Sequence, residues 1–500
     1  MANKEVDPLK MLPFADLDLP PGRVIEWMVR PSSKHHPTMT VLEHTKRPSF
    51  SQELYYHLID WQSRLHPGRL AVWIAATFEI PGRVDLDGLR DAFRQLLVRH
   101  EVLRTEFRMQ PDAEDTHGIF GLLQCDVLDP DGVVLEESEV GIFNRVKSLR
   151  EALIERIDKT IDTNNGPVIL MGVVFGAQRS VGYIVCDHLV TDGFSCAIKA
   201  HELAVIYEAT VTGAPVELPE VGSYLDYGRQ EYVETETVQP NDPRIELWRR
   251  FVARNGHVFT EFPIELNTKK GEWHPATVDV VQLLNASQAE EFERLCCARN
   301  ARVVSGLLAV NSIALHEIGG RGVLRTVMPV AQRRAPQWRN AVGWFVSLVP
   351  LEVPMAGIDK FADVLASAHA SFRSALAAAD LPLAALFLHL GTQYLPINGF
   401  FDLKPQAHFS YIDYRKLPGA QDEKKRQTTA LRVTNTCDAR TWYFRTHEGI
   451  FMFNNFIDTP RAREVVVAYE ASVERVLTEL LSSNPARCAP EAPGATFRAA

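Results

Sequence analysis

The sequence predicts a mixed α/β (α+β) fold with two hydrophobic cores. Three observations lead there. The chain has 500 residues, well past the length of about 250–300 residues at which a single core stops growing. Stretches with helical apolar spacing alternate with short apolar runs of strand type through both halves. Hydrophobic residues make up 46% of the chain and charged residues 23%, the balance of a globular enzyme rather than a disordered chain.

Residues 1–48 are rich in Pro and basic residues and show little periodicity ("LDLPPGRVIEWMVRPSSKHHP"). They are expected to form an arm packed on the body through Val24, Ile25 and Trp27. "LAVWIAATFEI" (70–80) reads as a buried strand. "GRVDLDGLRDAFRQLLVRH" reads as a helix with Asp87 as N-cap and Leu89, Phe93, Leu96 and Leu97 as its apolar stripe. "LRTEFRM" (103–109) returns to extended structure, and "REALIERIDKTID" (150–162) places Leu153, Ile154, Ile157 and Ile161 on one helical face. "VILMGVVFG" (168–176) and "SVGYIVCD" (180–187) look like paired strands. "SCAIKAHELAVIYEATVTG" is helical through Ile198, Leu203, Ile206 and Tyr207, with Gly213 as a stop. The polar "YVETETVQPNDPR" (232–244) is the linker candidate.

The second half repeats the alternation. "NASQAEEFERLCCARNA" and "VSGLLAVNSIALHEIG" read as helices, and "GVLRTVMPVAQ", "WFVSLVPLEV", "HFSYIDY" and "TWYFRTHEGIFMFNNF" as strands. The last helix, "TPRAREVVVAYEASVERVLTELL", has Thr459 as cap and Pro460 in its first turn. The expected organisation is an arm at 1–48, one unit at 49–235, a second at 236–481 and a disordered tail at 482–500.

A net charge of −10 argues against a nucleic-acid binder, which needs a basic face. The basic clusters "AQRRAPQWR" (331–339) and "LWRRFVAR" (247–254) read as solvated surface, or as docking sites for an acidic partner. The opening "MANKEVDPLKMLPF" has no apolar segment of signal-peptide type, and no run approaches the ~20 residues of a membrane-spanning helix. Seven cysteines (125, 186, 196, 296, 297, 437, 488) form no framework or zinc spacing, which suits reduced thiols in a cytoplasmic protein. "KHHP" (34–37) has no second ligand pair at usable spacing, so no metal is expected, and there is no GxSxG elbow.

The chemically informative stretch is "VGYIVCDHLVTDGFS" (181–195). An apolar strand ends at Asp187, and His188 follows where strand becomes loop, with Asp192 four residues on and Gly193 after it. Such a position can face a cleft, but a histidine satisfied by a carbonyl in the core is an equal reading of the bare pattern. Its surroundings separate the two. "PSFSQELYYHL" (48–58, with Gln52), "LLVRHEVLRTEF" (96–107), "LPEVGSYLDYG", "VGWFVSLVPLEV" (342–353) and "AADLPLAALF" (378–387) stand in order around it. Together they resemble the condensation-domain superfamily, which includes condensation domains of nonribosomal peptide synthetases and stand-alone polyketide-associated acyltransferases. "GRVIEW" (22–27), "FSYIDYR" (409–415) and "WYFRTHEGIFMFNNFIDTP" (442–460) are most similar to the polyketide-associated branch. The resemblance spans about residues 20–480.

The resemblance implies two chloramphenicol-acetyltransferase-like subdomains in a V-shaped pseudo-dimer with a central tunnel. His188 matches the second histidine of HHxxxDG and is the candidate general base, suited by an imidazole pKa near ~6.5. Asp187 replaces the first histidine, and its carboxylate is expected to raise the His188 pKa. Asp192 matches the motif's aspartate, with Arg104 and Arg333 as candidate partners, and Gly193 is expected to let substrate or backbone come close. Ser347, Tyr411, Asp413, Trp442 and Asn455 are candidates for lining the tunnel. Ser347 replaces the asparagine of "VGxFVNT", and the DFGWG latch between subdomains is absent.

The implied function is acyl transfer from a carrier-protein or CoA thioester to an acceptor hydroxyl, in polyketide, lipid or other natural-product biosynthesis. No cofactor is expected to be bound permanently; the phosphopantetheine or CoA thioester is substrate. The implied partners are an acyl or peptidyl carrier protein and a small-molecule acceptor, with the chain a monomer. Two alternatives stand beside it: a stand-alone peptide condensation enzyme forming an amide, and a catalytically silent module that recruits a partner.

Overall fold

Two sheets organise the chain, and each gathers strands from distant parts of the sequence. The computed structural model describes residues 9–31, 47–65, 73–109, 123–269, 272–355, 360–391, 409–421 and 427–482. From the N terminus run β1 (Leu9–Pro13), β2 (Gly22–Pro31), α1 (Phe50–Leu65), β3 (Trp73–Pro81), α2 (Leu86–Arg99), β4 (Thr105–Met109) and β5 (Leu123–Val127). Then come β6 (Val133–Phe143), α3 (Val146–Thr160), β7 (Ile169–Phe175), β8 (Arg179–Asp187), α4 (Gly193–Thr212) and α5 (Tyr224–Thr237). The second half opens with α6 (Pro243–Asn255), β9 (His274–Asn285), α7 (Ala286–Cys297), α8 (Val303–Gly319), β10 (Val323–Ala331) and β11 (Val346–Pro354). It closes with α9 (Phe361–Leu376), α10 (Leu383–Leu390), β12 (Phe409–Asp413), β13 (Gln427–Leu431), β14 (Asn435–Thr436), β15 (Arg440–Arg445), β16 (Gly449–Ile457) and α11 (Pro460–Ser482).

Among the described residues the larger sheet has seven strands, ordered β1-β13-β3-β8-β7-β2-β6. Its inner strands are buried on both faces, so β7 and β8 read as continuous apolar runs rather than alternating ones. One face packs α2 and α4 through Trp27, Phe93, Leu96 and Leu203. The other packs α3 through Leu149, Leu153 and Ile157 against Trp73 and Tyr183. The second sheet is ordered β12-β15-β16-β9-β14. One of its faces, carrying Phe409, Tyr443 and Met452, joins the core formed with α7, α8, α9 and α11. The opposite face, with Trp442, Phe444 and Phe453, meets Phe194 and Ala197 of α4. The site below lies where that face approaches the first sheet.

Several sequence expectations change. Residues 9–13 and 22–31, read as an arm, are strands; β2 lies between β6 and β7, with Val24, Ile25 and Trp27 at most 1% exposed. A strand covered on both faces loses the alternation by which a strand is recognised. Asp85 rather than Asp87 caps α2, accepting from the Gly88 amide at 2.9 Å. Helix α5 runs through most of the linker candidate, leaving 238–242 before α6. β13 leaves the second half to pair with β1 and β3 in the first sheet. The Gly213 stop is left-handed (φ 72°), as its place after α4 requires, and Thr459 accepts from the Ala462 amide at 3.2 Å. "KHHP" (34–37), Cys488 and the tail from 483 lie outside the described residues.

Candidate active site

His188 begins a single 3-10 turn, His188–Val190, between the end of β8 and the start of α4. The turn is held from three sides. Asp187 caps it, accepting from the Leu189 amide at 2.7 Å and from the Thr163 hydroxyl at 2.5 Å. Gln52 of α1 donates from its side-chain amide to the Leu189 carbonyl at 2.9 Å. Lys199, one face of α4 further on, donates to the Thr191 hydroxyl at 2.9 Å. The imidazole is half-buried between two aromatic rings, with centroids 4.7 Å from Trp344 and 6.1 Å from Tyr55. Its Nδ1 is sealed from water and has no hydrogen-bond partner among the described residues, which leaves Nε2 as the accessible nitrogen.

Asp192 caps α4 through the Ser195 amide at 2.6 Å. Its carboxylate also receives the Phe345 amide at 3.0 Å and the Arg333 guanidinium at 3.1 Å on each oxygen. Arg333 donates further to Ser195 Oγ at 2.7 Å and to the carbonyls of Trp338 and Ala341, and its guanidinium lies over the rings of Phe194 and Phe345. Ser195 in turn donates to the Gly343 carbonyl at 2.8 Å. A side chain at Gly343 would begin 2.1 Å from the Tyr224 ring, so only glycine passes there. The connection between β10 and β11 is thus locked onto the start of α4. Of the two candidate partners of Asp192, Arg333 is the one that meets it, buried although its basic cluster reads as solvated surface.

Burial lowers the His188 pKa below the usual imidazole range, opposed by its own carbonyl and by Asp192, while Lys199 pushes the same way as burial. The imidazole is therefore neutral at pH 7. Asp187 is not among the groups acting on it: the carboxyl turns toward Thr163 and Tyr55, and burial raises its own pKa to about 6. The expectation that Asp187 raises the His188 pKa fails for that reason. Burial works against the Lys199 ammonium, and Cys186, Cys196 and Asp192 together outweigh it.

The other expected residues separate. Arg104 is not the partner of Asp192; its guanidinium donates to the carbonyls of Leu97 and Leu128. Ser347 is buried on β11 and donates to the Leu381 carbonyl at 3.3 Å, so it lines nothing open. Tyr411 packs against the second core, and Asp413 caps the turn Tyr414–Lys416 while paired with Arg415 at 2.8 Å. Burial alone would raise the Asp413 pKa; Arg415 outweighs it. Trp442 and Asn455 do lie on the sheet face that approaches α4, since register sets Trp442 beside Phe453 and alternation puts Asn455 on the same side. A Cβ at Gly193 would meet only Ile412 Cδ1, at 3.4 Å, so no backbone presses on it. Two cavities, about 440 and 420 Å³, are lined by residues 222–233 with 337–338, and by a group that includes Arg104 and Thr163; neither has His188 in its wall.

Tyr55, Trp344, Lys199 and Thr163 were not selected from the sequence. Tyr55 and Trp344 stand inside quoted motifs but look like ordinary core aromatics. Lys199 carried a signal: it shares a helical face with Cys196, Leu203 and Ile206, an apolar stripe in which a lone charge is out of place. Thr163 lies in an irregular segment with no pattern. Among the described residues, no group of three His, Cys, Asp or Glu side chains could hold a metal ion, and no helix is long and apolar enough to cross a membrane.

The family profile described as "Condensation domain" matches residues 55–404. The chain is 27% identical over 415 residues to "Acyltransferase PapA3" of Mycobacterium tuberculosis, covering 81% of this chain and 82% of that one. It is 25% identical over 490 residues to "2'-acyl-2-O-sulfo-trehalose (hydroxy)phthioceranyltransferase PapA1" of Mycobacterium bovis, covering 96% and 90%. Among solved structures, "PapA2 acyl transferase" superposes with a TM-score of 0.82 at 22% identity, covering 95% of this chain and 100% of that one. The X-domain from teicoplanin biosynthesis does so with 0.66 at 16% identity, covering 89% and 97%.

Proposed function

The chain belongs to the condensation-domain family, and we propose that it is an acyltransferase that moves an acyl group from a thioester to an acceptor hydroxyl, with His188 as general base. The observation that carries this reading is the His188 ring itself: half-buried, neutral at pH 7, with Nδ1 sealed and Nε2 accessible. Nε2 takes the proton of the hydroxyl as its oxygen attacks the thioester carbonyl carbon. The C–O bond forms, the C–S bond breaks, and the leaving thiolate receives the proton back from Nε2, so no acyl-enzyme is required. The donor is a thioester on the phosphopantetheine arm of a carrier protein or on CoA, in the cytoplasm. Relatives named for acyl transfer to sulfo-trehalose and, as PapA2, to trehalose-2-sulfate support a sugar hydroxyl over an amine.

The test is an assay of the purified protein with one acyl thioester against panels of sugar alcohols and amines. Ester formation, falling by about 10²–10⁴-fold in His188→Ala, is the expected result. Amide formation alone rejects the ester, and turnover undiminished in His188→Ala rejects the base.

A further inference from the structure

Arg440 and Asn455 are register partners on β15 and β16, and both side chains lie on the face of the second sheet that approaches α4. Each carries a polar atom that is sealed from bulk water and has no hydrogen-bond partner among the described residues: Arg440 Nε, a donor, and Asn455 Oδ1, an acceptor. Arg440 makes no hydrogen bond or ion pair with any described residue; Arg445, on the opposite face of the same strand, also has an orphaned Nε but is ion-paired with Glu293 at 2.8 Å. A half-buried guanidinium without a hydrogen bond or close ion pair costs stability, and Asp438 acts on it only as a nearby charge. Burial holds its pKa below the usual arginine range, with Cys437 and Asp438 opposing.

The position of the pair relates it to Gly193 at the start of α4, just after the His188 turn. Ile412, whose Cδ1 lies 3.4 Å from where a Gly193 Cβ would be, is in register with Phe444 on β15. Going along the strand on the same face, Trp442 follows and then Arg440. Four residues of strand place the Arg440 row about 13 Å from the Ile412 row. The stretch between is apolar, made of Phe444, Phe453 and Trp442.

We infer that Arg440, with Asn455 beside it, binds an oxyanion (sulfate, phosphate or carboxylate) carried by a substrate whose reacting end lies at His188. This rests on the acyl-transfer reading only for the word substrate; the oxyanion site itself does not. The planar guanidinium offers two parallel donors to such a group, and Asn455 Nδ2 adds a neutral one, while its orphaned Oδ1 is an acceptor and takes no part in holding the anion. The oxyanion belongs either to the acceptor or to the phosphate of the donor's pantetheine arm.

Sodium sulfate titrated into wild type and Arg440→Met at ionic strength matched with chloride, followed by thermal unfolding, tests the site without turnover. Sulfate is expected to raise the Tm of wild type beyond its general salting effect and to lose that increment in the variant. Without sulfate, Arg440→Met is expected to unfold no earlier than wild type. An equal sulfate increment in both proteins, or a variant that unfolds far earlier, overturns the proposal. Kinetics then identify the source: Arg440→Met raises KM about tenfold more for an oxyanion-bearing acceptor than for its uncharged analogue, or for an acyl-CoA than for a phosphate-free thioester. No difference in either comparison overturns a role in substrate binding. Failure of transfer in wild type would reject the function and leave the sulfate result standing.

Discussion

Asp192 and Arg333, 141 residues apart, form a buried pair in which one guanidinium nitrogen stands 3.1 Å from both carboxylate oxygens and each side chain is 5% exposed. Asp192 caps α4 just after the turn that carries His188; Arg333 belongs to the connection between β10 and β11. Removing either leaves the other charge buried and uncompensated. Asp192→Ala and Arg333→Met are each expected to cost about 3–5 kcal/mol in urea unfolding. The double variant is expected to cost less than the sum, because the second removal relieves the stranded charge. Additive costs would show that the two do not act as a pair.

Asp187 supplies a pH-dependent stability. Its pKa in the folded chain, about 6, lies above the ordinary value of 3.8. The protonated form is therefore favoured by folding, and the stability it contributes is full below the unfolded pKa and lost as pH rises through about 6. Asp187→Asn does not titrate. Its stability relative to wild type should rise by roughly 3 kcal/mol between about pH 4 and pH 7, measured as the difference between paired urea curves. A difference that does not change with pH would mean that Asp187 is ionised throughout.

Lys199 acts on His188 through charge and on the turn through Thr191. A general base must be neutral, so kcat/KM should fall on the acid side, with a midpoint below the ordinary imidazole value. Lys199→Met removes a positive charge that disfavours the imidazolium. The acid limb should then move upward, while Lys199→Arg keeps it in place. Superimposable pH–rate profiles for all three proteins would remove Lys199 from the electrostatics of the site.

Gly193 has an ordinary backbone conformation and space beside it, so the fold does not demand glycine there. Gly193→Ala should leave the Tm unchanged or raised, since alanine favours the first turn of α4 by about 0.5–1 kcal/mol. If substrate passes along this backbone, kcat/KM falls in the same variant. A variant with full activity would place the substrate elsewhere.

Much of the helix and strand order, and the position of the turn at His188, are legible in the sequence. Apolar spacing located α3, α4 and α8, because a helix face repeats every few residues whatever lies opposite. Asp192 and Gly193 are located by resemblance to the HHxxxDG motif, not by periodicity. Which partners meet depends on the tertiary fold: Arg333 rather than Arg104 for Asp192, Thr163 for Asp187, β13 in the first sheet, and Arg440 beside Asn455. These relations join residues far apart along the chain, and they depend on register and approach distance, which periodicity does not encode. The same limit explains the residues misread as surface or arm. Burial of Arg333 and of β2 is set by what packs against them from another part of the molecule.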